Sequence, residues 1–249
     1  MKDPFEKGIN ITRRHELKYL CPVRQLELIK RRLLSVMTPD KHQGPDGYTI
    51  RSLYFDTVGD RFLEENSAGI EYRNKYRIRL YDLDTSFIRF EEKTTVGSLK
   101  SKRSAKLTRD DAEHIISNGV NIKDTDNGVL QRVGVLQRTE LLRPKVIVEY
   151  DRFAFVSRAG NVRITFDQCI RASKDTEFFF EDIPMMPILP DQISLMEVKY
   201  DGILPGYIAG LVNTGELQQI AFSKYALCRN IIKNNGRIED TYELPECYG

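Results

Sequence analysis

The chain has 249 residues, of which 41% are hydrophobic and 30% are charged. This length suffices for one large domain or two small ones with a sizeable core, and so many charges exclude a membrane-embedded protein or a fibre. The 38 Lys and Arg residues exceed the 36 Asp and Glu residues by only two, so the whole chain has no strong bias toward nucleic acid or anionic membranes. Any basic binding site must therefore be local.

The first residues, MKDPFEKGINITRRHE, are charged where a signal peptide needs an apolar stretch. No run in the chain approaches the roughly 20 apolar residues of a membrane span. We therefore expect a cytoplasmic location. Since there is no internal repeat and no Gly/Ser linker, we also predict a single domain over residues 1–249, with its core at about 13–230.

The cysteines and histidines give little evidence of a metal site or a disulfide framework. No CxxC, HxxxH or HxH spacing occurs, so we expect free thiols and no histidine-dependent chemistry. These residues are Cys21, Cys169, Cys228, Cys247, His15, His42 and His114.

Short segments rich in β-branched and aromatic residues dominate the chain. They predict strands near 13–20, 48–56, 71–82, 86–94, 145–156, 161–168 and 193–200. Three segments, DTVGD, DLDTS and SRAGN, are typical turns, and the last two indicate hairpins. Helical patterns are fewer: RQLELIKRRLLSVM after Pro22, a capping box from Thr108 to Asp111, and SKYALCRNIIK. The expected fold is mainly β (α+β), antiparallel, with peripheral helices.

Several predicted strands alternate between an apolar face and a face rich in Arg, Lys and Glu. The E-x-K pair occurs three times, as Glu16/Lys18, Glu91/Lys93 and Glu197/Lys199. A solvated polar face explains any one strand alone. Together they favour a closed barrel whose apolar face points outward to helices and whose charged face lines a lumen.

A lumen lined in this way suits a polyanion accompanied by a metal ion. Arg and Lys bind phosphate oxygens, and carboxylates at fixed positions hold a divalent cation. The basic side chains assigned to this face outnumber the acidic ones by four. The basic residues are Lys18, Arg77, Arg79, Lys93, Arg152, Arg163, Lys199 and Lys224, and the acidic ones are Glu16, Glu91, Asp167 and Glu197.

An ordered set of motifs resembles the VTC domain of polyphosphate polymerases, within the triphosphate tunnel superfamily that includes the CYTH proteins. The motifs are RHELKYL, YTIRSLYFDT, KYRIRLY, FEEK, YDRFAF, VRITFD, MEVKY and FSKY, between about Arg13 and Arg229. The resemblance implies a closed, eight-stranded antiparallel β-barrel, the triphosphate tunnel fold. This expectation agrees with the argument from the charged faces.

Carried over by motif, the eight basic residues above are the expected phosphate-binding and catalytic residues. Glu197 resembles the metal-binding glutamate, with Glu16 and Glu91 as further candidates, and the implied cofactor is Mn²⁺ or Mg²⁺. In KSKRSAK, the residues Lys102, Arg103 and Lys106 either guide polyanion at a tunnel mouth or form a solvated basic loop. Arg51 and Tyr54 are further ligand-facing candidates, whereas Asp56 has the alternative role of a turn-forming acid.

The chain departs from the CYTH pattern at one position. Arg14 stands where the E-x-E-x-K motif of that branch has its first acid. The loss of a carboxylate there argues against two-metal hydrolysis and toward a polymerase or a binder. No G-x-x-x-x-G-K-[ST] loop is present, so nucleotide binding would depend on the tunnel.

The resemblance implies an ATP-dependent polyphosphate polymerase that transfers the γ-phosphate of ATP to a growing chain and releases ADP. Two alternatives stay open: a non-catalytic module that binds polyphosphate or inositol polyphosphates, and a metal-dependent triphosphate hydrolase. The expected partners are ATP and polyphosphate as substrates, with no nucleic acid and no membrane span in this chain. A membrane partner protein and the oligomeric state are left open.

Overall fold

A computed structural model describes residues 14–97, 99–213 and 217–234 of the chain. Most of this part is β structure. The strands are β1 (Arg14–Pro22), β2 (Thr38–Pro39), β3 (Tyr48–Asp56), β4 (Tyr72–Tyr81), β5 (Asp84–Val96), β6 (Leu99–Leu107), β7 (Arg143–Ser157), β8 (Val162–Ser173), β9 (Met186–Pro187) and β10 (Ile193–Asp201). The α-helices are α1 (Val23–Leu33), α2 (Arg61–Ser67), α3 (Arg109–Ser117), α4 (Gly128–Thr139), α5 (Gly206–Val212) and α6 (Lys224–Lys233).

The strands form one antiparallel sheet in the order β1-β10-β8-β7-β3-β4-β5-β6, with β2 added to β7 and β9 added to β8. This confirms the mainly β, antiparallel prediction. The closed eight-stranded barrel is not confirmed. The sheet has ten strands, and among the described residues no backbone pairing joins its two end strands, β1 and β6.

The two ends of the sheet nevertheless come together through side chains. Lys100 on β6 places Nζ 3.1 Å from Oε2 of Glu16 on β1. The sheet therefore curls until its edges meet, and one of its faces becomes concave. Alternation in the sequence predicted which residues share a face, but it carries no information on whether the last two strands pair.

Both predicted hairpins are present. The turn between β4 and β5 has positive φ at Asp82 (50°) and Leu83 (56°), and the β7–β8 turn has it at Gly160 (65°). The predicted helices are also present: Pro22 precedes α1, and Thr108 and Asp111 form a capping box at α3. The sequence interpretation missed α2, α4, α5 and the strands β2, β6 and β9.

Two clusters of apolar side chains cover the convex face of the sheet. One packs α3 and α4 on β4, β5 and β6, and the other packs α1 and α5 on β1, β8 and β10. A third cluster lies on the concave face, where Tyr225, Leu227 and Cys228 of α6 pack on Val148 and Leu195 of the sheet. The expectation that all helices are peripheral is therefore wrong for α6. Helix α6 packs there because the inner faces of β7 and β10 carry apolar residues.

Among the described residues no helix has the length and apolar character of a membrane span. The thiols of Cys21, Cys169 and Cys228 are free, and Cys247 lies outside the described residues.

Candidate functional site

Strand register places the predicted basic and acidic residues on one face of the sheet. In an antiparallel sheet directly opposed residues point to the same side, so a chain of partners carries one face from strand to strand. The paired residues that follow the concave face from strand to strand are Lys18↔Glu197, Glu197↔Thr165, Asp167↔Arg152, Arg152↔Tyr48, Tyr54↔Arg77, Arg77↔Glu91 and Lys93↔Lys102.

The two arginines of KYRIRLY lie side by side on the concave face of β4. Arg77 donates from Nε and Nη2 to Oε2 of Glu91 at 2.8 and 2.6 Å, and from Nη1 to the hydroxyl of Tyr54 at 2.9 Å. Arg79 donates from Nη2 to the hydroxyl of Tyr150 at 3.1 Å. Both guanidinium groups are buried, so their orientation is fixed before any ligand binds.

A second group of charges joins β7, β8, β10 and the start of α6. Arg152 donates from Nε and Nη2 to the two oxygens of Asp167 at 2.6 and 2.7 Å. Lys224 Nζ lies 2.5 Å from Asp167 Oδ2 and 3.1 Å from Glu197 Oε1. Lys224 opens α6 as predicted, but it is buried between two carboxylates and not solvated.

Glu197 lies at the centre of the lysines on the concave face. Its Oε2 accepts from Lys199 at 2.7 Å, while Lys18 Nζ lies 4.0 Å from its Oε1. Burial by itself would raise the pKa of Glu197, but the charges of Lys199 and Lys224 outweigh it and hold the pKa well below its usual range. Thr165, its neighbour on β8, has a buried hydroxyl with no hydrogen-bond partner among the described residues.

Among the eight predicted basic residues, Lys93 is the exception to this pattern of pairing. Within the described part of the chain no carboxylate oxygen lies within 4.0 Å of its Nζ, although it faces the same space. The positive charge of Arg77, burial, and the charges of Lys199 and Arg79 together push the pKa of Lys93 well below its usual range. A cation held among cations is stabilised by an added anion, so Lys93 marks the position where the site favours negative charge.

Tyr150 is the residue of this site that the sequence interpretation did not select, whereas Tyr54 was a candidate and does lie on the concave face, where its hydroxyl accepts from Arg77. Tyr150 receives a hydrogen bond from Arg79, and Arg152 and Lys224 lie over its ring at 5.2 and 4.8 Å. Burial would raise the pKa of Tyr150, but the charges of Arg152 and Arg79 lower it. The sequence did contain a signal for Tyr150, because it lies two residues before Arg152 on the same strand and therefore points to the same face.

Other predicted residues lie at the rim or outside the site. Arg163 is half-buried and binds Asp40 at 2.5 Å and the Tyr48 hydroxyl at 3.1 Å. The stretch KSKRSAK is strand β6 and not a loop. Its exposed Lys102 reaches Glu91 at 2.6 Å, whereas Arg103 points to the opposite face and Lys106 is exposed.

Arg51 and Asp56 have structural roles away from the concave face. Arg51 points to the convex side, where it forms a buried ion pair with Glu149 and donates to the carbonyl oxygens of Phe179 and Glu181. The Asp56 carboxylate accepts from the backbone N–H groups of residues 57, 62 and 63 and so fixes the start of α2. Asp56 is therefore the turn-forming acid of the two alternatives.

The three predicted metal ligands do not form a metal site by themselves. No group of three or more His, Cys, Asp or Glu side chains in the described residues converges as metal ligands would. Glu16 binds Lys18 and Lys100, Glu91 binds Arg77 and Lys102, and Glu197 binds Lys199 and Lys224. Any divalent ion here would therefore take most of its ligands from bound phosphate oxygens.

Fold and site together define a triphosphate tunnel-like protein, an antiparallel sheet curled around a face of arginines, lysines and carboxylates. The chain belongs to the VTC domain family, whose model matches residues 13–233. This membership indicates a nucleotide- or polyphosphate-related function.

One solved structure shares this fold, and a second gives a weaker superposition. A putative adenylate cyclase from Bacillus halodurans superposes with a TM-score of 0.51 at 14% identity, over 87% of this chain and 95% of that chain. A protein from Pyrococcus horikoshii OT3 gives a TM-score of 0.44 at 12% identity, over 89% and 99%. At 14% identity the first likeness shows the fold alone. Among curated proteins, none matches this sequence significantly.

Proposed function

We propose that this protein is an ATP-dependent polyphosphate polymerase. ATP and a polyphosphate chain would bind on the concave face, and the γ-phosphate of ATP would move to the chain end. The observation that carries the proposal is Lys93, a lysine without a carboxylate partner among the described residues, held beside Arg77 and Arg79 in a buried basic site. The association of VTC domains with polyphosphate polymerases supports the same activity.

The proposed reaction is an in-line phosphoryl transfer. An oxygen of the terminal phosphate of the chain attacks the γ-phosphorus of ATP, the bond from the γ-phosphorus to the β–γ bridging oxygen breaks, and ADP leaves with that oxygen. The chain grows by one phosphate, and no covalent enzyme intermediate forms. The reaction needs alignment and charge neutralisation, both of which a rigid basic face supplies.

The chain's own residues divide this work by their chemistry. Arg77 and Arg79 present planar forks to phosphate oxygens, and Tyr54 and Tyr150 fix the direction of these forks. Lys93 contributes a point charge that shifts fully to its charged form when phosphate arrives. Asp167 and Glu197 keep Lys224 in place between them. The divalent cation, Mn²⁺ or Mg²⁺, stays a prediction, and no step above depends on it.

The alternatives differ from the polymerase in what they do with ATP. A binding module holds polyphosphate without consuming ATP, and a hydrolase releases phosphate without making chains. A binder has less need of a carboxylate such as Glu197 in the middle of its basic face, and this favours catalysis. The fully paired carboxylates argue against the multi-acid metal site of a two-metal hydrolase.

The deciding experiment is to incubate the purified protein with ATP and Mn²⁺ or Mg²⁺, resolve the products on a gel stained for polyphosphate, and measure ADP and free phosphate in parallel. Polymerase activity gives chains and ADP in step with each other. Free phosphate without chains would establish the hydrolase, and binding of polyphosphate without ATP turnover would establish the binder. The variant Arg31→Ala, on the exposed side of α1, is a matched control that removes one arginine away from the site.

A further inference from the structure

Helices α1 and α5 lie side by side on the convex face of the sheet. Both helices bury their inner sides in one apolar cluster on β1, β8 and β10, so their outer sides face the same solvent. We call this outer surface, with the segments that flank the two helices, the α1–α5 face. Its exposed charged and large apolar residues are Arg24, Glu27, Leu28, Arg31, Arg32, Leu34, Val36, Ile203 and Tyr207.

The arginines of this face have no counter-charge. Helix α1 has four basic residues and one acid, and that acid, Glu27, is paired with Lys30 at 3.1 Å. In the part of the chain that the structure describes, no carboxylate oxygen lies within 4.0 Å of Arg24, Arg31 or Arg32. Helix α5 has no charged residue. The two helices together therefore have an excess of three positive charges, whereas the whole chain has an excess of only two.

The helix dipole does not account for all of these arginines. It favours cations in the last turn of a helix, where Arg31 and Arg32 lie, but it disfavours them in the first turn, where Arg24 lies. Arg24 and Arg31 are seven residues apart and therefore occupy one side of α1, with Leu28 between them. This stripe of two arginines and a leucine faces solvent along the whole helix.

Large apolar side chains accompany the arginines on this face. Ile203, in the segment before α5, is 86% exposed, and Tyr207 on α5 is 52% exposed. Ile203 is the most exposed large apolar side chain among the described residues. A surface that combines cations with protruding aliphatic and aromatic side chains is suited to a partner that has both anionic and apolar groups.

We propose that the α1–α5 face binds the surface of an anionic phospholipid membrane. The arginines contact the negatively charged headgroups, while Leu28, Ile203 and Tyr207 enter the boundary between the headgroups and the acyl chains. The protein lies on the membrane and does not cross it. The inference goes beyond the proposed function, because none of these residues belongs to the concave face.

Two other anionic partners fit this face less well. A nucleic acid offers phosphates to the arginines, but its backbone offers no apolar region for Ile203 or Leu28. An acidic protein would need a surface whose shape closely matches these protruding side chains. Lipids rearrange around an inserted side chain, so a bilayer needs no such preformed match.

The test is co-sedimentation of the purified protein with vesicles of phosphatidylcholine alone and of phosphatidylcholine mixed with phosphatidylserine. We expect binding to the mixed vesicles only, and weaker binding at higher salt, because salt screens exposed charges. Each basic residue near an anionic surface contributes a factor of about five in affinity, so the double variant Arg24→Ala/Arg31→Ala should lower the affinity roughly tenfold or more.

A matched control removes the same charge elsewhere. The double variant Arg109→Ala/Arg138→Ala takes two arginines from exposed positions on α3 and α4, and we expect it to bind the mixed vesicles as the unmodified protein does. Thermal melts of both double variants confirm that they are folded.

A second measurement tests the apolar contact. The chain has no tryptophan, so Tyr207→Trp introduces a single fluorescent reporter on α5. We expect its emission to shift to shorter wavelength with the mixed vesicles, because indole is then transferred from water to the membrane interface. Ile203→Ser should weaken vesicle binding several-fold, because it removes an aliphatic side chain from that interface.

Several results would overturn the membrane surface. These are absence of binding to the mixed vesicles, equal losses in the two double variants, and an unchanged emission of Tyr207→Trp on vesicles that bind the protein. Loss of vesicle binding in Arg77→Ala would place the lipid on the concave face instead. Binding of an oligonucleotide or an acidic peptide that depends on Arg24 and Arg31, without binding of vesicles, would assign the α1–α5 face to that partner.

Discussion

Arg152 and Asp167 form a two-pronged ion pair across β7 and β8, and Lys224 at the start of α6 binds the same carboxylate. One buried acid therefore holds two cations of the concave face in place. Burial would raise the pKa of Asp167, but the charges of Arg152 and Lys224 lower it, so the acid is ionised at neutral pH. This arrangement couples the stability of the fold to the charge of the binding site.

Replacement of Asp167 should lower the stability of the unliganded protein and raise its affinity for polyphosphate. In Asp167→Asn the shape is kept, but Arg152 and Lys224 lose their counter-charge, and breaking a buried pair costs about 3–5 kcal/mol. We expect a lower melting temperature without ligand and a larger increase on addition of polyphosphate than in the unmodified protein. Thermal melts with and without polyphosphate measure both effects. Asp191→Asn, at an exposed acid before β10, is the control, and equal melting curves for both variants contradict the prediction.

Arg77 and Arg79 should each require the guanidinium shape and not only the charge. Arg→Lys at either position should reduce polyphosphate synthesis, because a point charge does not replace a two-pronged donor. Arg→Ala should cost more, about 2–5 kcal/mol in binding if the contact is a desolvated charge pair. Synthesis rates measure the effect, with thermal melts as the folding control.

If Arg77 and Arg79 were ordinary solvated strand residues, their replacement would change the free energy of unfolding by less than about 0.5 kcal/mol and would hardly change the activity. If both alanine variants melt normally and make polyphosphate at the unmodified rate, the concave face is not the active site. Arg31→Ala on α1 supplies the baseline for removing one arginine.

Glu197→Gln should abolish synthesis while polyphosphate still binds, and like Asp167→Asn it should lower the melting temperature because a buried ion pair is broken. The change removes the negative charge between Lys199 and Lys224 without changing the shape of the side chain. Synthesis is measured over a series of Mn²⁺ and Mg²⁺ concentrations, and binding is measured separately. Full activity of this variant at every metal concentration would exclude Glu197 from a metal-binding role.

Binding of polyphosphate should take up protons above pH 7. Burial and the nearby charge of Lys18 lower the pKa of Lys75, which lies on β4 two residues before Arg77, from its ordinary 10.5 to about 7. Between these values the folded, unliganded protein loses this proton while the unfolded chain keeps it, so this lysine contributes stability that rises with pH across that window. Phosphate favours the charged lysine, so affinity should fall as the pH rises from 7 to 9.

Calorimetric titrations at pH 8 in two buffers of different ionisation enthalpy measure this proton uptake directly. The share that belongs to Lys75 disappears in Lys75→Met, while the exposed control Lys174→Met keeps it. An identical proton uptake in Lys75→Met and the unmodified protein would show that Lys75 does not change its protonation state when polyphosphate binds.

The sequence alone determined which residues share a face. Side chains of a strand alternate between its two faces, so the sequence alone predicted that Lys18, Arg77 and Glu197 point away from their apolar neighbours. Short-range signals were equally reliable: Pro22 before α1, the capping box at Thr108, and both hairpin turns are all present. These features depend on contacts between residues only a few positions apart.

Only the tertiary structure decided how the strands close and what fills the interior. The meeting of Glu16 with Lys100, the insertion of α6 against the inner face, and the burial of Lys224 between Asp167 and Glu197 join residues far apart in the chain. Parity says which side a residue faces, but not whether the sheet curls or which helix covers it. Those outcomes depend on twist, register and packing across the whole sheet, which local sequence patterns do not encode.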